Sequence, residues 1–478
     1  MHYSTGVFPR TLLATSDQNL VSHAGVKPLL SFMDALGINH LGEDRLGQSV
    51  PDGARHRPGA IIAALIAMLA AGGEHVSDLD MLRTSPGLFG QVASNATVSR
   101  FFDRINNDVE VFEHGFATLA AELRHRVWHT AGERGPGRTY TARDPLIIDM
   151  DHTLITAHSD KERAMGNYKG GYGYAPFIAA IDYGDAYGGE ILACRLRSGN
   201  AGPNQARAHI ALFNDAIAGL PAEFFDHHGE LIGEKILVRA DSAGASRAFL
   251  NYLDERGVQF SVSYAIPVVK NSLVHRITNK KHWQFALDQD GNERENAWVV
   301  NATDAVPLSG YPKGTNLYLR AEPLHPGARA TLLDHEGHRI TAFLCNSPRW
   351  DTQELDARHR KRARCENRIK TLKNTGLDKL PFQSFAANQA WASIASLAMN
   401  IVTWMTLTAL PTGHRATSWD IKRWRYRVFA TAGKIITRAR SKILLLPAAA
   451  AETPTIRAIT ERISELRKTL TCAPLQPT

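Results

Sequence analysis

The chain has 478 residues, 44% of them hydrophobic, and a formal net charge of +8. That length can bury a large core and hold more than one domain, and the positive balance suits an acidic partner such as nucleic acid. Four scattered cysteines (Cys194, Cys345, Cys365, Cys472) form no Cys-x-x-Cys pair, which argues against a zinc site or a disulfide framework and fits a reducing cytosol.

Met1–Arg10 has no signal-peptide pattern. The longest apolar run, Ala60–Ala71, is shorter than the about 20 residues a bilayer demands, so no membrane partner is expected. Residues 1–135 read as a helical domain suited to binding DNA. Pro58 opens the Ala60–Ala71 helix at a favoured first-turn position. Asn95 or Thr97 can cap a helix carrying Val98, Phe101, Phe102 and Ile105, with Arg100 on its surface. That segment reads equally as the second helix of a helix-turn-helix, with Arg100 in or near a groove, and as an ordinary capped helix of a bundle. The Gly-rich residues 131–143 read as a linker.

From Pro145 the period changes to two. Leu146–Asp151, Tyr174–Ile181, Glu190–Leu196, Lys235–Asp241 and Val258–Tyr264 read as strands, with helices over 204–218 and 246–255. The order β-β-β-α-β-α-β is that of a ribonuclease-H-like fold: an α/β mixed sheet with flanking helices over 144–266. A helical connection allows the first and fourth strands to be parallel neighbours. Asp151 and Asp241 end those strands and can meet at one sheet edge. Asp149 shares a strand face with Asp151 and is the alternative first acid; Asp160 and Asp182 read as surface or turn residues, and His227 and His228 as loop residues without a ligand role. Residues 267–345 read as a β-rich insertion, and 346–410 as the second part of the α/β domain. The region 411–478 reads as basic and helical, with Lys422, Arg423, Arg425, Arg427, Lys434, Arg438, Arg440 and Lys442 set among aromatics, a pattern suited to gripping phosphates.

The stretch His359–Lys373 contains no Gly or Pro. On an ideal helix His359, Arg362, Glu366 and Lys373 fall within about 60° of one another. Such a row is either a solvated salt-bridge stripe, with Arg362 and Glu366 an i, i+4 pair, or a carboxylate flanked by cations that meet phosphate oxygens. Two strand-end acids and a helix acid, without a Cys or His cluster, are hard oxygen ligands suited to Mg²⁺ or Mn²⁺.

In these residues the chain resembles the DDE-type insertion-sequence transposases of bacteria. Asp151-His-Thr153 matches their Asp-x-Thr motif, which favours Asp151 over Asp149. Arg362, Glu366 and Lys373 match three of the four positions of their Tyr-x2-Arg-x3-Glu-x6-Lys signature, with His359 in place of the Tyr. Tyr168–Pro176 and Leu377–Asn388 also look like the family, and the resemblance spans about residues 145–410. It implies Asp151, Asp241 and Glu366 as catalytic metal ligands, Mg²⁺ as cofactor with Mn²⁺ as substitute, and DNA contacts from His359, Arg362 and Lys373. The family's insertion can carry an aromatic that stacks on a flipped base; Trp298, with Trp283 second, is the candidate, although a lone Trp in a strand more often simply packs. The implied activity is binding of terminal inverted repeats in double-stranded DNA, cleavage at the ends and joining of 3′-hydroxyls to target DNA. The implied protein is a homodimer or higher assembly in the bacterial cytoplasm, on the nucleoid when DNA-bound. The competing readings are a catalytically inactive DNA-binding relative, such as a repressor or domesticated protein, and another ribonuclease-H-like nuclease.

Overall fold

A computed structural model describes residues 19–472, apart from 158–159, 185–186, 203–205, 267–281, 325–326, 328–333, 335–336 and 349–350. Parts of the expected helical domain, insertion and C-terminal region therefore lie outside the described residues. The N-terminal part is helical: α1 (Lys27–Leu36), α2 (Ile38–Leu46), α3 (Pro58–Ala71), α4 (Asn95–Asn107) and α5 (Val109–Ala131). Pro58 stands at the start of α3. The cap of α4 is Ser94, whose hydroxyl accepts from the Thr97 N–H, rather than Asn95 or Thr97. Glycines let α2 and α3 cross backbone to backbone, since a Cβ on Gly42 would lie 2.5 Å from the Gly59 Cα.

The period-two runs form β1 (Leu146–His152), β2 (Phe177–Asp182), β3 (Gly189–Arg195), β4 (Ile236–Ala240) and β5 (Gln259–Ser263), with α6 (Ala206–Ala218) and α7 (Arg247–Asp254) between them. β1 pairs antiparallel with β2 and parallel with β4, and β4 pairs parallel with β5. The expected strand over 174–181 is split at Pro176, which has no N–H for a ladder. Tyr172–Tyr174 instead pairs with Ile155–Thr156 in a separate small sheet.

The β-rich segment does not form a sheet of its own. β6 (Gln284–Leu287), β7 (Glu293–Asn301), β8 (Asn316–Pro323) and β9 (His338–Cys345) continue the main sheet, because β9 pairs antiparallel with β5. The result is one nine-stranded sheet in the order β6-β7-β8-β9-β5-β4-β1-β2-β3.

After β9 come α8 (Thr352–Arg360), a 3₁₀ turn (Lys361–Ala363) and α9 (Arg364–Asn374). The apolar helix α10 (Phe385–Ala409) follows. It is long and apolar enough to span a bilayer by length and composition, but most of it is buried inside the fold. Its polar residues close the sheet edge at β3. Asn400 accepts from the Ile191 N–H and donates to the Ile191 carbonyl, both at 2.8 Å. Gln389 accepts from Leu196 N–H and donates to the Cys194 carbonyl. Buried Glu190 joins Arg124 of α5 and Trp404 of α10, so the N-terminal helices and the sheet share one continuous core.

The C-terminal region departs from the helical expectation. Residues Gly433–Arg438 (β10) and Ser441–Leu445 (β11) form a hairpin, and β10 pairs with the two-residue strand Leu20–Val21. Helix α11 (Thr453–Cys472) then runs along α1, where Thr471 donates to the Ala35 carbonyl and Arg467 pairs with Asp34 at 2.7 Å.

Candidate active site

Strand register builds the site. Asp149 and Met150 of β1 sit opposite Arg239 and Ala240 of the parallel strand β4. One further step sets Asp151 beside Asp241, both at carboxyl ends of strands, where open α/β sheets bind ligands. Among the described residues, Asp151, His152 and Asp241 offer ligand atoms that all lie within 4.8 Å of one another. All three are partly buried. Asp241 also caps the turn after β4, accepting from the Ala243 N–H at 3.0 Å. Burial raises the Asp151 pKa; the Arg362 cation opposes this and Asp241 adds to it, for a net rise. Two carboxylates this close repel unless a cation lies between them. A pair of half-buried hard oxygen donors therefore fits a divalent ion.

His152 was not expected in this group, because neighbours on a strand face opposite ways. It is the last residue of β1, paired with Phe177, and its ring sits edge-on to that of Phe177.

Asp149 is engaged elsewhere. Its fully buried carboxylate takes two hydrogen bonds from Arg239, at 2.7 and 2.8 Å. Asp182, expected at the surface, is the second acid of the same buried network. It accepts from Arg239 at 2.9 Å and from Arg368 at 2.8 Å, with Arg364 at 3.6 Å. The third partner of Arg239 is the Arg358 carbonyl of α8, which accepts from it at 2.7 Å. Three strands and the helix pair are thus locked together behind the two site acids. Half a turn earlier on α8, buried Asp356 pairs with Arg320 of β8.

Burial raises the Asp182 pKa, but Arg368 and then Arg239 outweigh it, and the net shift is downward. A carboxyl with a lowered folded pKa contributes stability above the ordinary aspartate range, and loses it as pH falls through the lowered value. Unfolding free energies of the wild type and Asp182→Asn, measured across pH, should differ most near neutrality and converge in acid. A pH-independent gap would refute this account.

The helix row does not survive as drawn. The 3₁₀ turn at Lys361–Ala363 breaks it just after Arg358, whose carbonyl is taken by Arg239. Each side chain then goes its own way. His359 lies within hydrogen-bond distance of the Ser261 and Ser263 hydroxyls and stacks on Phe343 at 4.5 Å. Burial first, and the neighbouring arginines second, bring its pKa down to about 3. It is a neutral ring packed on the sheet, which corrects the expectation of a phosphate contact. Arg362 reaches Asp151 at 3.3 Å. Lys373 donates to the Leu154 carbonyl at 2.8 Å, tying down the loop after β1, and lies 3.7 Å from Asp378.

Glu366 is exposed on α9 and is not in the 4.8 Å group. It stands one turn from Arg362 and next to Cys365, whose buried thiol feels Asp149 and Asp151. Trp298 is half-buried between Phe285 (6.3 Å) and His338 (5.0 Å). Arg100 is exposed on α4, far along the chain from the acids.

A mixed sheet in this strand order, with two aspartates converging at the ends of its parallel central strands beside an arginine, defines the class: ribonuclease-H-like enzymes that act on phosphodiesters with divalent metal. Residues 8–468 match the family model "Transposase DDE domain group 1", and the chain belongs to that family. It is a metal-dependent, DNA-cleaving DDE transposase. A solved structure, the piggyBac transposase synaptic complex with hairpin DNA, is similar at 11% identity and a TM-score of 0.36, with 91% of each chain covered. No curated protein matches the chain.

Proposed function

We propose that this chain is the transposase of a bacterial insertion sequence, acting in the cytoplasm on the nucleoid. It binds the terminal inverted repeats, cleaves at the ends and joins the 3′-hydroxyls to target DNA, as a dimer or higher assembly holding both ends. The observation that carries this reading is the convergence of Asp151 and Asp241 beside Arg362, in a chain that matches a transposase family over nearly its whole length.

Mg²⁺, with Mn²⁺ as substitute, is the metal, held by Asp151 and Asp241 with Glu366 as third acid; bound there, it supplies Lewis acidity at the phosphate and lowers the pKa of the attacking hydroxyl or water. Arg362 meets the negative charge that accumulates on the scissile phosphate. Lys373 and the buried Arg239 network keep the β1 end and α9 in register. Trp298, beside Phe285 at the outer end of the sheet, offers an aromatic face to DNA passing over that edge.

A duplex carrying the element's terminal repeat, incubated with the protein and Mg²⁺, should be cut at the repeat boundary and joined to a second duplex. Glu366→Gln should bind the repeat normally and cut it poorly. Normal cutting by that variant removes Glu366 from the site. Binding without cutting by the wild type points to the inactive relative.

A further inference from the structure

The basic C-terminal stretch divides into two sets. Arg425 donates to the Leu69 and Ala70 carbonyls at the end of α3, and Arg415 and Arg427 both pair with buried Glu452. These cations hold the fold together. Arg438, Arg440 and Lys442 at the β10–β11 tip are different: all three are exposed, and none forms an ion pair with a described residue.

The turn itself is unusual. Its two central residues, Ala439 and Arg440, have φ of 47° and 65°, in the left-handed region that two-residue hairpin turns reserve for Gly, Asn or Asp. An arginine is held where glycine is favoured, and strain of this kind concentrates at functional segments.

The hairpin also has a definite neighbour. Ile435 of β10 packs over Gly87, close enough that a Cβ there would lie 2.8 Å from its Cδ1. Gly87 belongs to the helical turn Pro86–Phe89. Pro86 and Gly90 line a cleft of about 810 Å³ whose wall includes Arg55, Arg100 and Arg104, all exposed. The tip stands three residues, roughly 10 Å, beyond Ile435. Through Ile435 the hairpin therefore packs on the turn that lines this cleft, joining cation-bearing elements from opposite ends of the sequence; Asp103 of α4 is exposed as well.

We propose that the hairpin tip and the α4 cleft form one duplex-DNA surface, with α4 against one groove and the tip of β10–β11 following the phosphates of the adjacent groove. This rests on the transposase reading above and adds to it the element that extends the N-terminal contact. A two-stranded ribbon is narrow enough to follow a groove, and unpaired cations on it displace counterions from the backbone.

The test uses the full chain and a labelled duplex bearing the element's terminal repeat, with affinity measured as salt is varied. R438A/R440A/K442A should keep the wild-type thermal midpoint, because the tip is exposed. Its plot of log affinity against log salt should be shallower by about 2–3, near 0.9 for each lost phosphate contact. R438K/R440K should keep the wild-type slope. A triple variant with the wild-type slope, or a lysine variant that loses it, overturns the proposal alone. Wild-type protein that binds no duplex overturns the transposase reading with it.

Discussion

Asp241→Asn should cut DNA ends on the order of a thousandfold more slowly than the wild type while binding them with unchanged affinity. The size follows from the role: a metal at a phosphoryl oxygen supplies several kcal/mol of charge stabilisation, and about 4 kcal/mol is a thousandfold in rate. Asparagine keeps the volume, and its side-chain oxygen can still accept from the Ala243 N–H that Asp241 caps. What it removes is the charge facing Asp151. Mn²⁺ should raise the thermal midpoint of the wild type and leave that of the variant nearly unmoved. A variant that cuts within tenfold of the wild type would rule out Asp241 as a ligand.

Arg239→Met should be the most damaging single change to stability, at about 3–5 kcal/mol. Arg239 is fully buried, with bonds to Asp149, Asp182 and the Arg358 carbonyl. Asp182 retains Arg368 at 2.8 Å, but Asp149 is left facing Arg368 at the longer distance of 3.7 Å. The penalty comes from stranding a buried carboxylate, so removing that carboxylate as well should relieve it. Arg239→Met/Asp149→Leu should recover much of the loss in denaturant unfolding, since well-packed apolar pairs replace buried ion pairs at little cost. A single variant that loses less than about 1 kcal/mol, or a double variant worse than the single, would contradict this.

Much of the sheet was legible because strand runs declare themselves locally. The Leu146–Asp151 and Lys235–Asp241 runs each end on an acid, and the helix between strands three and four allowed them to lie parallel. What sequence could not give was partnership at long range. Asp149 and Arg239 are separated by 90 positions, and nothing near Asp149 marks it as an ion-pair residue rather than a ligand. Asp182 precedes a Gly turn and so resembled a surface residue, although its partners come from β4 and α9. The helix row failed for a related reason: even spacing assumes an unbroken helix, and the 3₁₀ turn re-aims His359. The hairpin at 433–445 was hidden by its own turn, since Ala439-Arg440 carries none of the Gly, Asn or Asp signals that announce a two-residue loop.

The pairing of Leu20–Val21 with β10, and of α11 with α1, has a consequence for biosynthesis. Part of the apolar side of α1 is covered only once α11, with Arg467 lying 433 positions after its partner Asp34, has been made and has docked. A polypeptide released early, without 433–472, would display that side to proteases and chaperones.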